Sequence, residues 1–286
     1  MPTLTPNYEL LQSIYDISNE FYALFLGPTM GYTCGYYERD DTTTSEAQNA
    51  KFDLALGKLG LQPGMTLLDV GCGWGGGLQR ALANYDVNVI GLTLSKEQKI
   101  AADERLAAIP TDRRVEVRLQ GWEEFDEPVD RIVSIGAFEH FRHEKYDAFF
   151  QMAYDAMPAD GVMVLHTISS LHVDEMRRRG LPMTFEQARF AKFIMTEIFP
   201  GGQLPSRDMI ERIAPKPGFT VTRVQSLQPH YVRTLRDWAD ALEARKDKAI
   251  EIQGREAYER FDKYLNGCGQ YFASGHLDVC QYTLQK

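Results

Sequence analysis

The sequence predicts an α/β protein built on a parallel, doubly wound sheet, and three observations carry that prediction. Short apolar runs alternate with helical stretches between Leu67 and Ile168, the first run ends in a glycine-rich turn, and the alternation stops over residues 169–218 before it resumes. Strands separated by helices of ten to fifteen residues pair in parallel, because only a crossover of that length returns the chain to the same edge.

Each element has its own signal. Residues 7–25 place Tyr8, Leu11, Ile14, Tyr15, Phe21, Tyr22 and Phe25 at helical spacing. Thr43-x-x-Glu46 is a capping box that opens a helix running to about Gly60. Strands are expected at 67–70, 87–92, 115–119, 130–135 and 161–168, with helices at 74–84, 95–108 and 145–157 between them. Residues 169–218 are helical and rich in Met and Phe, interrupted at Phe199-Pro200-Gly201-Gly202. A strand at 219–227, helices at 234–245 and 256–272 and a last strand at 277–284 complete the chain. The whole reads as a single domain, 1–286, with N-terminal helices over 1–60 and a helical lid inserted at 169–218.

Composition excludes several classes of function. The chain has 286 residues, 44% hydrophobic and 25% charged, with a net charge of −9, which argues against an extended nucleic-acid footprint. No apolar run is long enough to cross a bilayer, and the first residues lack a basic leader, so a cytoplasmic location is expected. Cys34, Cys72, Cys268 and Cys280 form no C-x-x-C pair and read as free thiols. His140-x-x-His143 has no further clustered ligand, so no metal is expected.

The most informative stretch is Leu67-Leu68-Asp69-Val70-Gly71-Cys72-Gly73-Trp74-Gly75. A buried strand runs into a turn whose backbone N–H groups can approach a ligand where a Cβ would collide. With Asp69 two positions before the first glycine, this points to S-adenosylmethionine (SAM) and hence to methyl transfer. Gly71, Gly73 and Gly76 also satisfy the dinucleotide pattern G-x-G-x-x-G, which by itself discriminates poorly. A dinucleotide site wants a carboxylate at the tip of the second strand, and the tip here is Leu92-Thr93-Leu94-Ser95. Without that acid, Thr93 and Gln98 are the expected partners of the cofactor's ribose. Gln120-Gly121-Trp122-Glu123 follows the third strand, where Trp122 offers a stacking face and Glu123 an acceptor for an exocyclic amine.

Eight segments carry a resemblance that spans nearly the whole chain in order. They are Tyr15-Asp16-Ile17-Ser18, Tyr32-Thr33-Cys34-Gly35-Tyr36, Leu68-Asp69-Val70-Gly71-Cys72-Gly73-Trp74-Gly75 and Gly91-Leu92-Thr93-Leu94-Ser95, then Ser134-Ile135-Gly136-Ala137-Phe138-Glu139-His140-Phe141 and Glu197-Ile198-Phe199-Pro200-Gly201-Gly202, and finally Leu227-Gln228-Pro229-His230-Tyr231 and Tyr264-Leu265-Asn266-Gly267-Cys268. On these the sequence resembles the cyclopropane fatty acid synthases, most closely the mycolic acid cyclopropane synthases. The resemblance implies a seven-stranded class I SAM-methyltransferase sheet and a helical lid over a hydrophobic tunnel for a very long acyl chain. It implies methyl transfer from SAM to a cis double bond, followed by ring closure or retention of a methyl branch, with a bicarbonate or carbonate ion as base.

Carried over by position, the ion's ligands are Glu139, His166, Tyr231 and the loop at Cys34, with backbone near Ile135. Cys268 belongs to the same centre, as a wall residue or ion contact rather than a nucleophile, because methylating an alkene needs no covalent adduct. Tyr15 and Tyr231, with Phe141 as a third candidate, are the aromatic faces expected to stabilise a carbocation. The cofactor set implied is Tyr32, Thr33, Asp69, Gly71, Gly73, Trp74, Thr93, Leu94, Gln98, Trp122, Glu123 and Ile135. The tunnel reading makes Phe193→Trp a variant that accepts shorter chains. Arg177-Arg178-Arg179 is either a docking site for an acyl carrier protein bearing the substrate or an ordinary basic helix end.

The sequence departs from the family at two places. Many relatives have His before the Tyr-Asp of the first motif, where this chain has Ile14. Relatives that leave a hydroxyl on the product tend to carry Glu where this chain has Gly136, which favours ring closure here. Readings from other classes are a SAM-binding protein that no longer methylates and a small-molecule O- or N-methyltransferase.

Overall fold

A computed structural model describes residues 4–181 and 183–286. The N-terminal aromatic stretch forms two helices, α1 (Tyr8–Tyr15) and α2 (Asn19–Leu26), rather than one. Ser18 accepts from the Phe21 N–H, so the run is re-capped in the middle and its two halves present different faces. Helix α3 (Thr44–Leu56) begins with the expected capping box, both halves of which are formed.

The alternating region is β1 (Thr66–Val70), α4 (Gly76–Asn84), β2 (Asn88–Thr93), α5 (Lys96–Ala107), β3 (Val115–Leu119), β4 (Arg131–Ile135), α6 (Tyr146–Ala156) and β5 (Val162–Ser170). Helix α4 starts two residues after Trp74, because Gly73 and Gly75 adopt positive φ and extend the turn. The insertion contains α7 (Val173–Arg178), α8 (Phe185–Phe193), a π-helical turn at 194–198 and α9 (Arg207–Ile213). Then come β6 (Thr220–Ser226), α10 (Gln228–Glu243), α11 (Lys246–Ala273, broken at Gly254) and β7 (Leu277–Gln285).

One seven-stranded sheet results, in the order β3-β2-β1-β4-β5-β7-β6. Its first five strands are parallel, as expected, whereas β7 lies antiparallel between β5 and β6. Periodicity marks a strand but not the direction from which the chain returns, and the long helices α10 and α11 bring β7 back reversed. Helix α10 begins at Gln228, six residues before its expected start, with Pro229 in the first turn, where the missing N–H costs nothing. That extension puts Tyr231 on a helix instead of a loop.

Three apolar clusters fill the molecule. One packs α6 and α9 on the sheet through Phe149, Phe150, Ile210 and Tyr282, and a second packs α4 and α5 on the opposite face through Leu78, Ala81 and Leu106. The third is largely aromatic and joins α2, α10 and α11 through Phe21, Phe25, Trp238 and Phe261. Helix α9 is thus an ordinary sheet-covering helix, so only the earlier part of the insertion is available to cover a site.

Candidate functional site

Two cavities open beyond the carboxyl ends of the parallel strands, the usual position for ligands in open α/β sheets. The first, about 150 Å³, is lined by the turn after β1 (Gly71, Cys72, Gly73, Trp74), by Thr93, Leu94 and Gln98 after β2, by Trp122 and Glu123 after β3, and by Ile135 after β4. Asp69, Tyr32 and Thr33 also line it. Every position expected of the cofactor site therefore faces one space.

The glycine turn shows why its sequence must be so small. Gly71 has φ +83° and a Cβ there would stand 2.3 Å from that of Ala137, while at Gly73 (φ +55°) nothing lies within 4 Å. The first glycine permits close packing of the turn, and the second presents bare backbone to the cavity. Helix α1 closes the cavity from above: Gln12 donates to the Leu94 carbonyl at 3.1 Å and Ser95 donates to Asp16 at 2.5 Å. Asp16, half of the Tyr-Asp motif, so acts as a clasp between the N-terminal arm and the β2–α5 turn. Trp74 donates its indole N–H to Asn19 at 2.6 Å, holding α2 to the same turn.

At the tip of β2, the Thr93 hydroxyl donates to Gln98 Oε1 at 2.8 Å and accepts from the Ser95 N–H at 3.2 Å. Thr93 thus orients Gln98 at the wall of the first cavity. Trp122 is buried against Phe141 and Phe149, and Glu123 pairs with Lys145 at 2.7 Å. Asp69 is buried, with Oδ1 unpartnered, and burial lifts its carboxyl to about 7 despite nearby Lys51.

Lys51 is the residue that sequence reasoning missed. It is fully buried, donates to the Thr33 hydroxyl at 2.5 Å and lies 3.6 Å from the centroid of the Phe52 ring. Burial lowers its ammonium to about 7. Its signal was available, because Ala47, Lys51 and Ala55 fall on one buried stripe of α3, an unusual place for lysine.

The second cavity, about 430 Å³, is lined mainly by apolar and aromatic side chains and adjoins the first. Tyr15, Tyr32, Thr33, Gly136 and His140 line both. Glu139 and His166 come together here, as their strand ends required: Ile135 and His166 are in register, and the Gly136 N–H donates to the His166 carbonyl at 2.8 Å. Glu139 does not cap a helix. Its Oε1 accepts from the Ile168 N–H at 2.6 Å, tying the turn after β4 to β5, and its Oε2 is buried without a partner. Burial raises its carboxyl above the ordinary range, opposed by the Ile168 N–H. His166 Nε2 is likewise buried and unpartnered, and burial next to the Lys51 and Lys58 cations holds the ring neutral.

Tyr231, Cys268 and Tyr15 also line the second cavity. Tyr15 shares a 2.8 Å hydrogen bond with His140 Nε2, and burial depresses the imidazole of His140 to about 4. Burial raises the Cys268 thiol to about 12, which suits a wall and not a nucleophile. No metal-binding cluster occurs among the described residues.

Three expectations need correction. Cys34 does not face the cavity: its thiol points to the carbonyls of Gly35 and Leu227, and only its neighbours Tyr32 and Thr33 reach the site. Phe141 lines the first cavity and packs on Trp122, too far round the turn to face a reaction centre in the second. Phe193 is buried in the aromatic core with Lys263 over its ring at 3.7 Å, while Phe190, Ala191 and Ile194 line the cavity. Phe190 and Phe193 pack on each other with ring centroids 5.7 Å apart, and of the two only Phe190 reaches the cavity. Ile194→Trp is therefore the variant expected to shorten the accepted chain at unchanged SAM affinity, measured by product length from a mixed-length acyl pool.

Gly136 sits where the cavities meet, with φ +73°, and a Cβ there would stand 2.2 Å from Thr33 Cγ2. A glutamate at this position would require Thr33 to move. Arg177, Arg178 and Arg179 pair with Asp174 and Glu175 within their own helix, as an ordinary basic helix end does. Among the described residues no helix is long and apolar enough to cross a membrane.

Comparison with known proteins extends over the same span. The family model for mycolic acid cyclopropane synthetase matches residues 3–282. The chain is 61% identical over 283 residues to cyclopropane mycolic acid synthase 1 of Mycobacterium tuberculosis, covering 99% of both. It is 57% identical over 280 residues to the methoxy mycolic acid synthase MmaA3 of that organism, covering 98% of this chain and 96% of the relative. Among solved structures, the cyclopropane synthase MmaA2 from Mycobacterium tuberculosis superposes with a TM-score of 0.98 at 57% identity, covering 99% of this chain and 100% of the other. The mycolic acid cyclopropane synthase CmaA1, complexed with S-adenosylhomocysteine and CTAB, gives 0.96 at 61% identity, with 99% of each chain covered.

Proposed function

This chain belongs to the mycolic acid cyclopropane synthetase family of SAM-dependent methyltransferases, and from that premise we propose that it methylates a cis double bond of a long, mycolic-type acyl chain and closes a cyclopropane ring with bicarbonate as base. The observation that carries the reading is the pair of buried orphans, Glu139 Oε2 and His166 Nε2, in an apolar cavity that adjoins the cofactor cavity. Buried polar atoms without partners are costly unless something fills the gap between them. An acceptor and a ring nitrogen able to donate suit a hydrogen carbonate, which offers both a proton and anionic oxygens.

SAM supplies an electrophilic methyl group, and the residues of the first cavity would hold it: Gly71 and Gly73 by backbone, Asp69 and Gln98 by polar contact, Trp122 by its face. Bicarbonate supplies a base that can work inside an apolar space. The chain's own contribution is placement and exclusion of water. Tyr15 and Tyr32 line both cavities, so an alkene in the second reaches the first without leaving aromatic cover. Attack leaves a carbocation on the acyl chain, and the faces of Tyr15 and Tyr231 stabilise it through their quadrupoles. Glu139 would accept a hydrogen bond from the ion's O–H and keep its bare oxygens basic, His166 would orient it, and the proton lost from the transferred methyl as the ring's last C–C bond closes would go to one of those oxygens. The apolar lining around Phe190, Ile194 and Phe199 suits an acyl chain, which we place in the cytoplasm on an acyl carrier protein.

Ring closure is favoured over hydration by Gly136, which brings no carboxylate to the junction to hold a water, its close packing against Thr33 leaving no room for one. Because MmaA3 is named for methoxy mycolic acids, product identity is the deciding measurement. Incubation with labelled SAM and a cis-unsaturated acyl substrate is expected to give a mass gain of one CH2 without water. A hydrated, methylated product would replace this reading with the hydroxylating one.

A further inference from the structure

Behind His166 lies a buried polar chain that no step above uses. Gln281, fully buried on β7, stands in register with His166 on β5 and places its amide nitrogen 3.3 Å from His166 Nδ1. On its other side Lys58, half-buried just beyond α3, donates from Nζ to Gln281 Oε1 at 2.5 Å. The three residues come from three separate segments and meet under the floor of the second cavity.

We propose that Lys58 and Gln281 are positioning residues that fix the tautomer of His166, so that the ring offers an Nε2–H donor to the cavity. Hydrogen-bond polarity dictates the assignment. An ammonium can only donate, so the Gln281 atom beside Lys58 must be the amide oxygen. The amide nitrogen then faces His166, and since it too can only donate, Nδ1 must carry the lone pair. A neutral imidazole with a bare Nδ1 holds its proton on Nε2, the atom that faces the cavity unpartnered. A cation set back from the cavity by one amide thereby decides that an anion is welcomed at His166. This deepens the bicarbonate reading and rests on it for its purpose, though not for its geometry.

The test reads the tautomer directly. In protein carrying 15N-labelled histidine, His166 is identified as the resonance pair missing from His166→Asn. The wild type is expected to show a pyrrole-type Nε2 and a pyridine-type Nδ1. In Gln281→Glu, Lys58 pairs with one carboxylate oxygen and the other can only accept, so the proton moves to Nδ1 and the pattern inverts. In Lys58→Met, a milder change, the amide is free to turn and both tautomers are expected together. The inverted tautomer should weaken bicarbonate half-saturation by about tenfold, the loss of one charge-assisted hydrogen bond, with the KM for SAM unchanged. An Nδ1–H ring in the wild type, or the same tautomer in all three proteins, overturns the proposal. Inversion without any change in bicarbonate dependence keeps the tautomer assignment and defeats the anion reading instead.

Discussion

Glu139→Gln is expected to all but abolish turnover while leaving SAM affinity and thermal stability near those of the parent. The substitution is nearly isosteric, and the new amide oxygen can still accept from the Ile168 N–H that holds Oε1. What changes is the second atom, which turns from an acceptor into a donor pointing into the cavity. A donor there opposes a protonated oxygen of the ion, so the base is neither held nor tuned. General-base catalysis contributes roughly 10²–10⁴-fold, and kcat should fall by about that factor. The experiment separates a chemical role from a structural one. Were Glu139 only a tie between two turns, Gln would serve equally well and turnover would persist. Calorimetric titration with SAM alongside single-turnover methyl transfer makes the distinction, and retained turnover would sink the ion-assisted mechanism.

The sheet was legible because its signals are local. The first five strands are short runs rich in β-branched residues, four of them followed by a helix, and the Gly71–Gly75 turn announces its own backbone. The reversed direction of β7 was not legible, since it depends on how α10 and α11 pack, and no local pattern records that. Helix faces in the insertion failed for a related reason. Apolar mass marks the insertion as a wall, but Phe193 turns into the aromatic core while Phe190, packed beside it, reaches the cavity, and composition does not say which does which.

The site divides in the same way. Positions that follow a strand end, such as Thr93, Trp122, Ile135 and Glu139, were found because a sheet has only one carboxyl edge. Their partners were harder to see. Lys51 and Gln281 carry no motif; they matter because burial strips them of water next to other polar groups, which is a property of the packed molecule. Cys34 shows the opposite error. Its motif is right in placing the loop at the cavity, yet a side chain's direction is set by the backbone, and here the thiol turns toward the Leu227 carbonyl.

Asp69 makes the cost of such burial measurable. Asp69→Asn is expected to weaken SAM binding by at least tenfold and, at the same time, to stabilise the protein without SAM at neutral pH. In the unfolded chain this carboxyl titrates near 3.8, and in the folded protein near 7, raised by burial and only partly relieved by Lys51. Between those values the folded state holds a proton that the unfolded state has lost, so the stability contribution falls as pH rises from about 4 to about 7. Above pH 7 the penalty is fully developed, and an uncharged asparagine escapes it. The variant's Tm should therefore match the parent's near pH 4 and exceed it by a margin that grows to pH 7 and then levels off. A margin of about 1–3 kcal/mol is reasonable for one buried, incompletely paired group. Asp69 lines the first cavity with its Oδ1 unpartnered, and under the proposed function a donor on SAM would satisfy that oxygen and offset the instability. Saturating SAM should accordingly raise the parent's Tm more than the variant's, and equal shifts would show that Asp69 has no contact with the cofactor.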